Sequence, residues 1–528
     1  MMRKTFSLLA ALLLVAPLAL ADDAKPAAAA PTLSLGVHER ILENGLQVLT
    51  VERPGAPRAT CWLFMKTGSV NERPGITGIS HLFEHLMFKG THRIGVRDYK
   101  VDQELQRQLD EVWQQIAVST AAGDDKQKVG LLEKFKALRD AERANDIQDE
   151  LWDLYLSNGG TGLNAFTGED MTAYIVTLPA NKVELFMWLE ADRLGHAVFR
   201  EFYAERDVVK EERRLDENSP DGPYNEQLNA AFFMAMPYHW PVLGWMSDLD
   251  AITPADCREY FDVFYAPNNA ALVIVGDVKH AEVEKLAERY FKPVPRGPKP
   301  PPAIRTTEPR PCGERRVTVL KKDAKPRASL MFHCPRLGDA DGPALDVAQM
   351  LLSGKSGRLH DALVEKAELC VEVKASHEER RWAGVFEVEG YARQHVAPKK
   401  VAEALQAELD RLGTDPAKPA ELERAKNRLQ ADLLKQLDEP ESLTNLIGAY
   451  AVKADWRLLE QLPARWQAVT AEDVQRVAKK YFEKEVRTLG LLEASAGADD
   501  EDEKEPGDQQ DEGREKGGEP MKQGGAER

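Results

Sequence analysis

The pentapeptide His81-Leu82-Phe83-Glu84-His85 is the stretch from which the architecture of this chain can be inferred. It lies in a segment with an amphipathic helical pattern, whose apolar residues are Ile79, Leu82, Phe83 and Leu86. Two histidines four positions apart on a helix project from one face, one turn above the other. Both imidazoles can therefore reach one metal ion, and Glu84 can handle the proton of a water molecule bound to that ion.

The order of these residues, His-x-x-Glu-His, reverses the common zinc-peptidase motif His-Glu-x-x-His and is typical of the inverted zinc peptidases. The sequence therefore predicts one Zn²⁺ per chain, bound by His81 and His85, with Glu84 as the general base of peptide-bond hydrolysis. A plainer interpretation competes with this one, because most histidine pairs at this spacing are surface or core residues without a metal.

A zinc ion held by two histidines needs a third protein ligand and a water molecule. A predicted helix over about 199 to 217 offers Glu205 and Glu212, which lie seven residues apart and so face the same way. A charged helix face is more often simply solvated, and spacing alone leaves the third ligand open.

Composition narrows the classes of function. The chain has 528 residues, enough for several domains. A formal net charge of -17, with no long basic run, argues against nucleic acid as a partner. The five cysteines have no CxxC spacing and lie apart from the two histidines, so a cysteine zinc site is not expected and no disulfide can be assigned.

The N-terminal residues have the pattern of an export signal. A basic start precedes an apolar run over 6–20 and the small-x-small site Ala19-Leu20-Ala21. The apolar run is too short to span a bilayer. The sequence predicts a signal peptide over 1–21 and a mature, soluble, exported protein, periplasmic or secreted, with no membrane span. An uncleaved membrane anchor is the alternative.

Changes in composition divide the rest of the chain. Eight prolines between 293 and 311 favour an extended connector, and the acidic C-terminal stretch without aromatic residues cannot bury a core. The predicted parts are a disordered leader over 22–35, a zinc-bearing first half over 36–292, a proline-rich linker over 293–312, a catalytically silent second half over 313–494 and a disordered tail over 495–528.

The two halves have the pattern of diverged copies. In the first, the strand-like Val48-Leu49-Thr50-Val51 leads to Pro57-Arg58-Ala59, and in the second, Val317-Thr318-Val319-Leu320 leads to Pro326-Arg327-Ala328. The offset is 269 residues, 326 minus 57. It places the stretch 347–355, which has neither histidine nor glutamate, opposite the metal helix. A repeated fold with one chemically silent copy follows.

One charged segment interrupts the first half. Residues 98 to about 157 are rich in Glu, Gln, Lys, Asp and Leu, with a turn-like Ala-Ala-Gly-Asp-Asp at 121–125. The pattern predicts two amphipathic helices that form an antiparallel hairpin. We interpret this hairpin as a structural arm without a catalytic role.

Longer motifs around the pentapeptide resemble the pitrilysin/insulinase/mitochondrial processing peptidase family of zinc peptidases. The resemblance rests on Gly68-Ser69-Val70-Asn71-Glu72, on the run over 81–91 and on Asn164-Ala165-Phe166-Thr167. It implies a short, bacterial-type member with an α+β fold. Two homologous α/β-sandwich halves, each a mixed sheet flanked by helices, would form a clamshell, with the helical hairpin inserted in the first half.

The same resemblance implies roles for individual residues. The run over 205–212 is similar to the second zinc-site helix of the family, which implies Glu212 as the third zinc ligand and Glu205 as the glutamate that supports the site. Asn164 and Ala165 would bind a peptide or an unfolded polypeptide as substrate. Relatives of this length commonly pair, which implies a homodimer or a heterodimer with a silent homologue.

A non-enzymatic interpretation is a peptide-binding or assembly subunit of the same fold. Silent members of the family lose the His/Glu set, whereas this chain keeps His81, Glu84 and His85. A metal-storage role would explain the ligands but not Glu84. The motif therefore favours an enzyme.

Overall fold

The computed structural model describes residues 33–322 and 324–495. The predicted signal peptide, and nearly all of the predicted leader and acidic tail, lie outside the described residues. The first half is built on a six-stranded sheet with the order β1-β2-β6-β3-β5-β4. Its strands are β1 (Val37–Ile41), β2 (Gln47–Glu52), β3 (Arg58–Met65), β4 (Thr161–Thr167), β5 (Thr172–Pro179) and β6 (Ala270–Gly276).

The second half is built on a five-stranded sheet with the order β7-β11-β8-β10-β9. Its strands are β7 (Arg315–Lys321), β8 (Arg327–Cys334), β9 (Cys370–Glu379), β10 (Gly384–Ala392) and β11 (Thr488–Ala494). This order matches β2-β6-β3-β5-β4 strand for strand. The first pair is parallel in both sheets and the remaining pairs are antiparallel. The predicted α+β fold with two homologous halves is confirmed.

Helices flank both sheets. Those that precede the linker are α1 (Ile79–Leu86), α2 (Tyr99–Ala122), α3 (Asp125–Asn145), α4 (Glu150–Ser157), α5 (Val183–His196), α6 (Phe202–Asn218), α7 (Gly222–Phe232), α8 (Met246–Ala251), α9 (Pro254–Phe264) and α10 (His280–Phe291). Those that follow it are α11 (Gly342–Leu352), α12 (Pro398–Thr414), α13 (Pro419–Asp438), α14 (Pro440–Lys453), α15 (Leu458–Ala468) and α16 (Ala471–Tyr481). A π-helical segment covers His360–Lys366.

The repeat is visible in the strand positions. β3 begins at Arg58 and β8 at Arg327, which is the offset of 269 residues expected from the sequence. The helix that corresponds to α1 is α11, which begins five residues before the stretch expected from that offset and contains no histidine or glutamate. The chain between the aligned strand and this helix is shorter in the second half, so the register shifts.

The charged segment forms the expected hairpin, with one addition. Helices α2 and α3 pack against each other and are joined by a tight turn at Gly123, whose φ is 68°. The chain then returns to the sheet through α4, a third short helix that periodicity did not predict. This return segment, 146–152, lines the cavity described below.

The central strands of the first sheet are buried on both faces. In β3, Cys61 and Leu63 face a core made with the helices of the first half, whereas Trp62 and Phe64 face a core shared with the second half. Helix α14 of the second half supplies this cover, and Gly448 lies directly on the Phe64 ring. Continuous apolar strands are expected where both faces of a sheet are covered.

The cover is reciprocal. Helix α7 of the first half packs on β7 and β11 of the second sheet. Tyr224, Leu228 and Phe232 of α7 are buried there against Val319 and Leu492, in one cluster of apolar side chains. Each half therefore completes the other by one helix.

Two further observations concern export and redox chemistry. Within the described residues, no helix is both long and apolar enough to cross a membrane. All five cysteines are free thiols, and Cys312 is the exposed one.

Candidate metal centre

Helix α1 is fixed at its N-terminus before any metal is considered. Gly78 takes a φ of 86°, and a Cβ there would lie 2.5 Å from the carbonyl oxygen of Leu243. The buried Glu72 carboxylate accepts hydrogen bonds from the backbone N–H groups of Gly78 and Ser80, each at 2.8 Å. These contacts satisfy amides that a helix N-terminus leaves unpaired, and a negative charge is favourable there. They set the direction of α1 and so of its histidines.

The structure brings His81, His85 and Glu212 together. The histidine rings lie 4.9 Å apart between centroids, at 72° to each other. Helix α6 crosses α1 and places the Glu212 carboxylate opposite both rings. Glu212 Oε2 lies 3.5 Å from His81 Nε2, and Glu212 Oε1 lies 3.8 Å from His85 Nε2. One donor atom from each residue lies within 4.8 Å of the other two.

These distances fit a tetrahedral zinc ion better than direct hydrogen bonds. Two ligand atoms about 2.0–2.1 Å from one ion, at a tetrahedral angle, are roughly 3.3 Å apart. A strong charge-assisted hydrogen bond would be shorter, at about 2.7–2.9 Å. The donor set of two imidazoles and one carboxylate, with room for water, is that of catalytic zinc sites. The three residues therefore fit the group that the sequence predicts.

Glu205 supports one of the histidines from behind. Its Oε2 accepts a hydrogen bond from His85 Nδ1 at 3.2 Å, and its Oε1 contacts Lys89 Nζ at 2.7 Å. Because a carboxylate can only accept, the proton of His85 is on Nδ1 and the Nε2 lone pair faces Glu212. His81 differs, since its Nδ1 is buried and has no hydrogen-bond partner among the described residues.

Glu84 points toward the end of β4, away from the three converging groups. The Thr167 hydroxyl at the end of β4 donates to Glu84 Oε2 at 2.6 Å. One carboxylate oxygen is therefore held, and Oε1 is left to take a proton. The residue lies beside the two imidazoles without being one of the three groups that converge.

Burial and neighbouring charges shift the pKa values of three groups in this site. Burial, with the neighbouring charge of His85, lowers the pKa of His81 to about 4, so this imidazole is neutral at neutral pH. Burial also raises the pKa of Glu84, against the opposing effect of the Thr167 hydrogen bond. A general base works best when its pKa lies near the working pH. For His85, burial opposes protonation, but the hydrogen bond to Glu205 and the charge of Glu212 outweigh it and raise the pKa.

A second group of possible ligands lies nearby. His92, Asp192 and His196 also place donor atoms within 4.8 Å of one another. Here Arg93 Nε donates to His92 Nε2 at 3.0 Å, and Asp192 is engaged by Thr91 and by His196. The lone pair and the carboxylate are thus already used, and we assign no metal to this group.

A cavity of about 440 Å³ opens beside the first cluster. His81, Glu84, His85 and Glu212 line it together with Asn164 of β4. Ala165, the other residue expected to contact substrate, is buried in the core instead. Because β4 is the last strand of its sheet, its outer backbone groups have no neighbouring strand among the described residues. Such an edge can accept an extended peptide.

Sequence reasoning missed two residues that shape the site. Thr167 ends the substrate-side motif Asn164-Ala165-Phe166-Thr167, but the motif alone does not indicate the hydrogen bond from Thr167 to Glu84. The signal was available, since Thr167 lies two residues after Ala165 and shares its side of the strand. Glu72 likewise ends the motif over 68–72, and its role at the start of α1 depends on a turn that periodicity does not describe.

The two homologous halves of this chain have the fold of a known class of protein, the peptidases built from two such halves. Two models of one family match the chain: the insulinase model, peptidase family M16, over residues 47–108, and the peptidase M16 inactive domain over 251–429. The resemblance to this family that the motifs indicate is confirmed.

Similar proteins extend over both halves. Zinc protease PqqE of Helicobacter pylori is 26% identical over 465 residues, which cover 86% of this chain and 92% of that protein. A probable mitochondrial-processing peptidase subunit beta of Arabidopsis thaliana is 24% identical over 454 residues, covering 84% and 75%. A crystal structure of a protease from Helicobacter pylori has a TM-score of 0.73 at 25% identity and covers 87% of this chain and 99% of that one.

Proposed function

We propose that this protein is a zinc-dependent endopeptidase that hydrolyses peptides or unfolded polypeptides. The observation that carries the proposal is the convergence of His81, His85 and Glu212 within 4.8 Å, with Glu84 beside them and outside the trio. A metal-binding protein needs only the trio. A hydrolase also needs a base that does not bind the metal, and Glu84 has that position.

In the proposed mechanism, His81, His85 and Glu212 would hold Zn²⁺, which when bound would supply a Lewis acid for activating water and polarising the scissile carbonyl. Glu84 Oε1 accepts the proton of the attacking water and transfers it to the leaving nitrogen. The Thr167 hydroxyl keeps the carboxylate oriented through Oε2. Glu205 holds the His85 ring with Nε2 toward the site.

Substrate would bind as an added strand along β4. Backbone hydrogen bonds to this edge recognise an extended chain and tolerate many side chains. Asn164, which is exposed on β4 and lines the cavity, would contact the substrate, and the Ala165 contribution would come from its backbone. An extended segment is available in peptides and in unfolded polypeptides, and this is why we favour them over folded proteins.

The alternative is a non-catalytic peptide-binding or assembly subunit of the same fold. Such a subunit could bind a peptide along the same edge strand, β4. One of the matching family models is named an inactive domain, so the family includes domains without catalytic activity. That model matches residues 251–429, whereas the cluster lies before residue 213. The placement favours catalysis in the first half.

We further propose export to the periplasm or the medium, based on the N-terminal signal pattern, and a dimer, with a second copy or with a silent homologue. The relative named as a subunit beta supports a paired state. Light scattering of the mature chain tests this, and a fully active monomer at working concentration contradicts it.

The decisive experiment compares the wild type with Glu84→Gln on a quenched peptide library, with zinc content measured in parallel. The variant should keep one zinc per chain and lose about 10²–10⁴-fold in kcat, which is the range for loss of a general base. Chelation should abolish turnover of the wild type and added zinc should restore it. Equal turnover by wild type and variant would remove the mechanism.

A further inference from the structure

The second half contains a cavity at the place where the first half carries its candidate metal centre. In the first half, α1, β4 and α6 supply the residues of that centre, and the same order of elements makes α11, β9 and α13 their counterparts in the second half. These three elements line a cavity of about 420 Å³ together with α14 and α15. Helix α11 has no histidine, so the second half keeps a pocket at this position without the histidine pair.

One wall of this cavity is apolar. Helices α13, α14 and α15 line it with leucine side chains, namely Leu429, Leu433, Leu446, Leu459 and Leu462. An apolar cavity of about 150 Å³ is enough to hold benzene. The larger volume here is therefore sufficient for an aromatic ring that carries a short aliphatic chain.

Two carboxyl groups without a lysine or arginine partner among the described residues line the same cavity, those of Asp346 and Glu379. His377 Nδ1 and Trp466 Nε1 each donate to Asp346 at 2.7 Å, which fixes this carboxylate, and its side chain still has 18% of its surface exposed. The partly exposed Glu379 carboxyl group makes no hydrogen bond or ion pair among the described residues. Polar groups in a partly buried cavity are normally paired, so these two carboxyl groups have binding capacity that the protein does not use.

The other charged groups of the cavity do not fill this role. Lys453 is the one lysine or arginine that lines it, and its Nζ donates to the backbone carbonyl of Glu379 at 3.2 Å. The remaining two lining carboxylates, Glu378 and Asp432, each pair with an arginine. The unpaired carboxyl groups of Asp346 and Glu379 beside an apolar wall are complementary to a molecule with one cationic end and one apolar end.

We propose that this cavity is a binding site for a small amine, in which the apolar part of the ligand lies against the leucines and its primary ammonium group binds Asp346 and Glu379. The site is separate from the candidate metal centre, and the inference does not depend on the proposed peptidase function. Hydrogen bonds from an ammonium group to a carboxylate are charge-assisted and therefore stronger than neutral ones.

The proposal has a consequence for the pH dependence of binding. Burial, with the neighbouring charge of Asp346, raises the pKa of Glu379 to about 7. An ammonium group binds the ionised carboxylate, so below this pH the ligand must displace a proton. Affinity for the amine should rise by about tenfold between pH 6 and pH 8, as the ionised fraction of Glu379 rises from about one tenth to about nine tenths. The charged or titratable groups around Glu379 are Asp346, His377, Glu378, Tyr450, Lys453 and Arg465.

Isothermal titration calorimetry tests the proposal with phenylbutylamine and with phenylbutanol, a neutral molecule of nearly the same shape. At pH 8 the wild type should bind the amine at least about tenfold more tightly than the alcohol, as expected for hydrogen bonds to charged groups. Glu379→Gln keeps the shape of the side chain and removes its charge. This variant should bind the amine at least about tenfold more weakly, lose the pH dependence, and bind the alcohol within about twofold of the wild type.

The matched control is Glu423→Gln, an exposed carboxylate on α13 that does not line the cavity, and it should bind both molecules as the wild type does. Glu379→Gln is expected to fold, because glutamine resembles the protonated form of this glutamate. Equal affinity of the wild type for amine and alcohol, or no binding of the amine at millimolar concentration, would overturn the proposal. An amine affinity that is unchanged in Glu379→Gln would overturn it as well. None of these outcomes bears on zinc binding or peptide hydrolysis in the first half.

Discussion

Replacing Glu205 with glutamine tests how the site holds its metal. The two carboxylate oxygens have different partners, His85 Nδ1 at 3.2 Å and Lys89 Nζ at 2.7 Å. A glutamine amide has one acceptor and one donor end. If its oxygen faces His85, its NH₂ group opposes the ammonium of Lys89, and if it flips, His85 loses its acceptor. One of the two contacts is lost in either orientation.

The size of the effect follows from these contacts. A hydrogen bond to a charged group contributes about 1.5–3 kcal/mol, and Glu205 is well buried, with its side chain 14% exposed. Loss of a group that orients a ligand histidine typically weakens metal binding by about 10–100-fold. That range corresponds to about 1.4–2.7 kcal/mol. We therefore expect Glu205→Gln to weaken zinc binding by about 10–100-fold, with turnover reduced less once zinc is saturating.

Competition with a chromophoric chelator measures the zinc affinity, and peptide turnover at saturating zinc is measured beside it. Glu211→Gln is the matched control, since Glu211 lies on the same helix, is 62% exposed and pairs with Arg214. It should bind zinc as the wild type does. Unchanged affinity in Glu205→Gln would refute the view that this glutamate fixes His85 for the metal.

Two further predictions concern stability. Gly448→Ala should lower the free energy of unfolding by about 1–3 kcal/mol through overpacking, because the new Cβ would lie 2.1 Å from the buried Phe64 ring. Gly130→Ala in α3, with open space around it, should instead raise the free energy of unfolding by about 0.5–1 kcal/mol. Urea unfolding of both variants measures these changes. Burial raises the pKa of Glu379 from 4.5 to about 7, so the stability given by its proton is present below pH 4.5 and lost as pH rises through 7. Glu379→Gln should therefore match the wild type at pH 4.5 and unfold at higher urea at pH 8, and a constant difference across this range contradicts the assignment.

The sequence was sufficient for the repeat and for the helix that bears the pentapeptide. A helical period of apolar residues and a fixed offset between strand motifs are local signals, and β3 and β8 begin where that offset requires. The position of Glu212 needed the family resemblance, because spacing within α6 did not separate it from Glu205. In the structure these two residues have different neighbours, Glu212 facing both histidines and Glu205 lying behind one.

Other features depend on contacts between distant parts of the chain. The amphipathic pattern of α7 or α14 shows that one face is buried but not which sheet covers it. No motif marks residues 146–152, and they line the cavity because the chain returns there from the α2/α3 hairpin. The start of α6 at Phe202 instead of about 199 follows from Arg200, which is buried and donates to carbonyls of the preceding loops.

The reciprocal placement of α7 and α14 has a consequence for how the molecule can come apart. One face of each sheet is covered by a helix of the other half. A separately expressed half would therefore expose an apolar sheet face to solvent and be prone to aggregate. A protease that nicked the proline-rich stretch would leave a single interlocked particle. Unfolding of the second half would expose the sheet that carries β4. The positions of the site residues on that sheet would then no longer be fixed. The second half, whose described residues form no such metal-ligand cluster, thus gives structural support to the half that carries His81, His85 and Glu212.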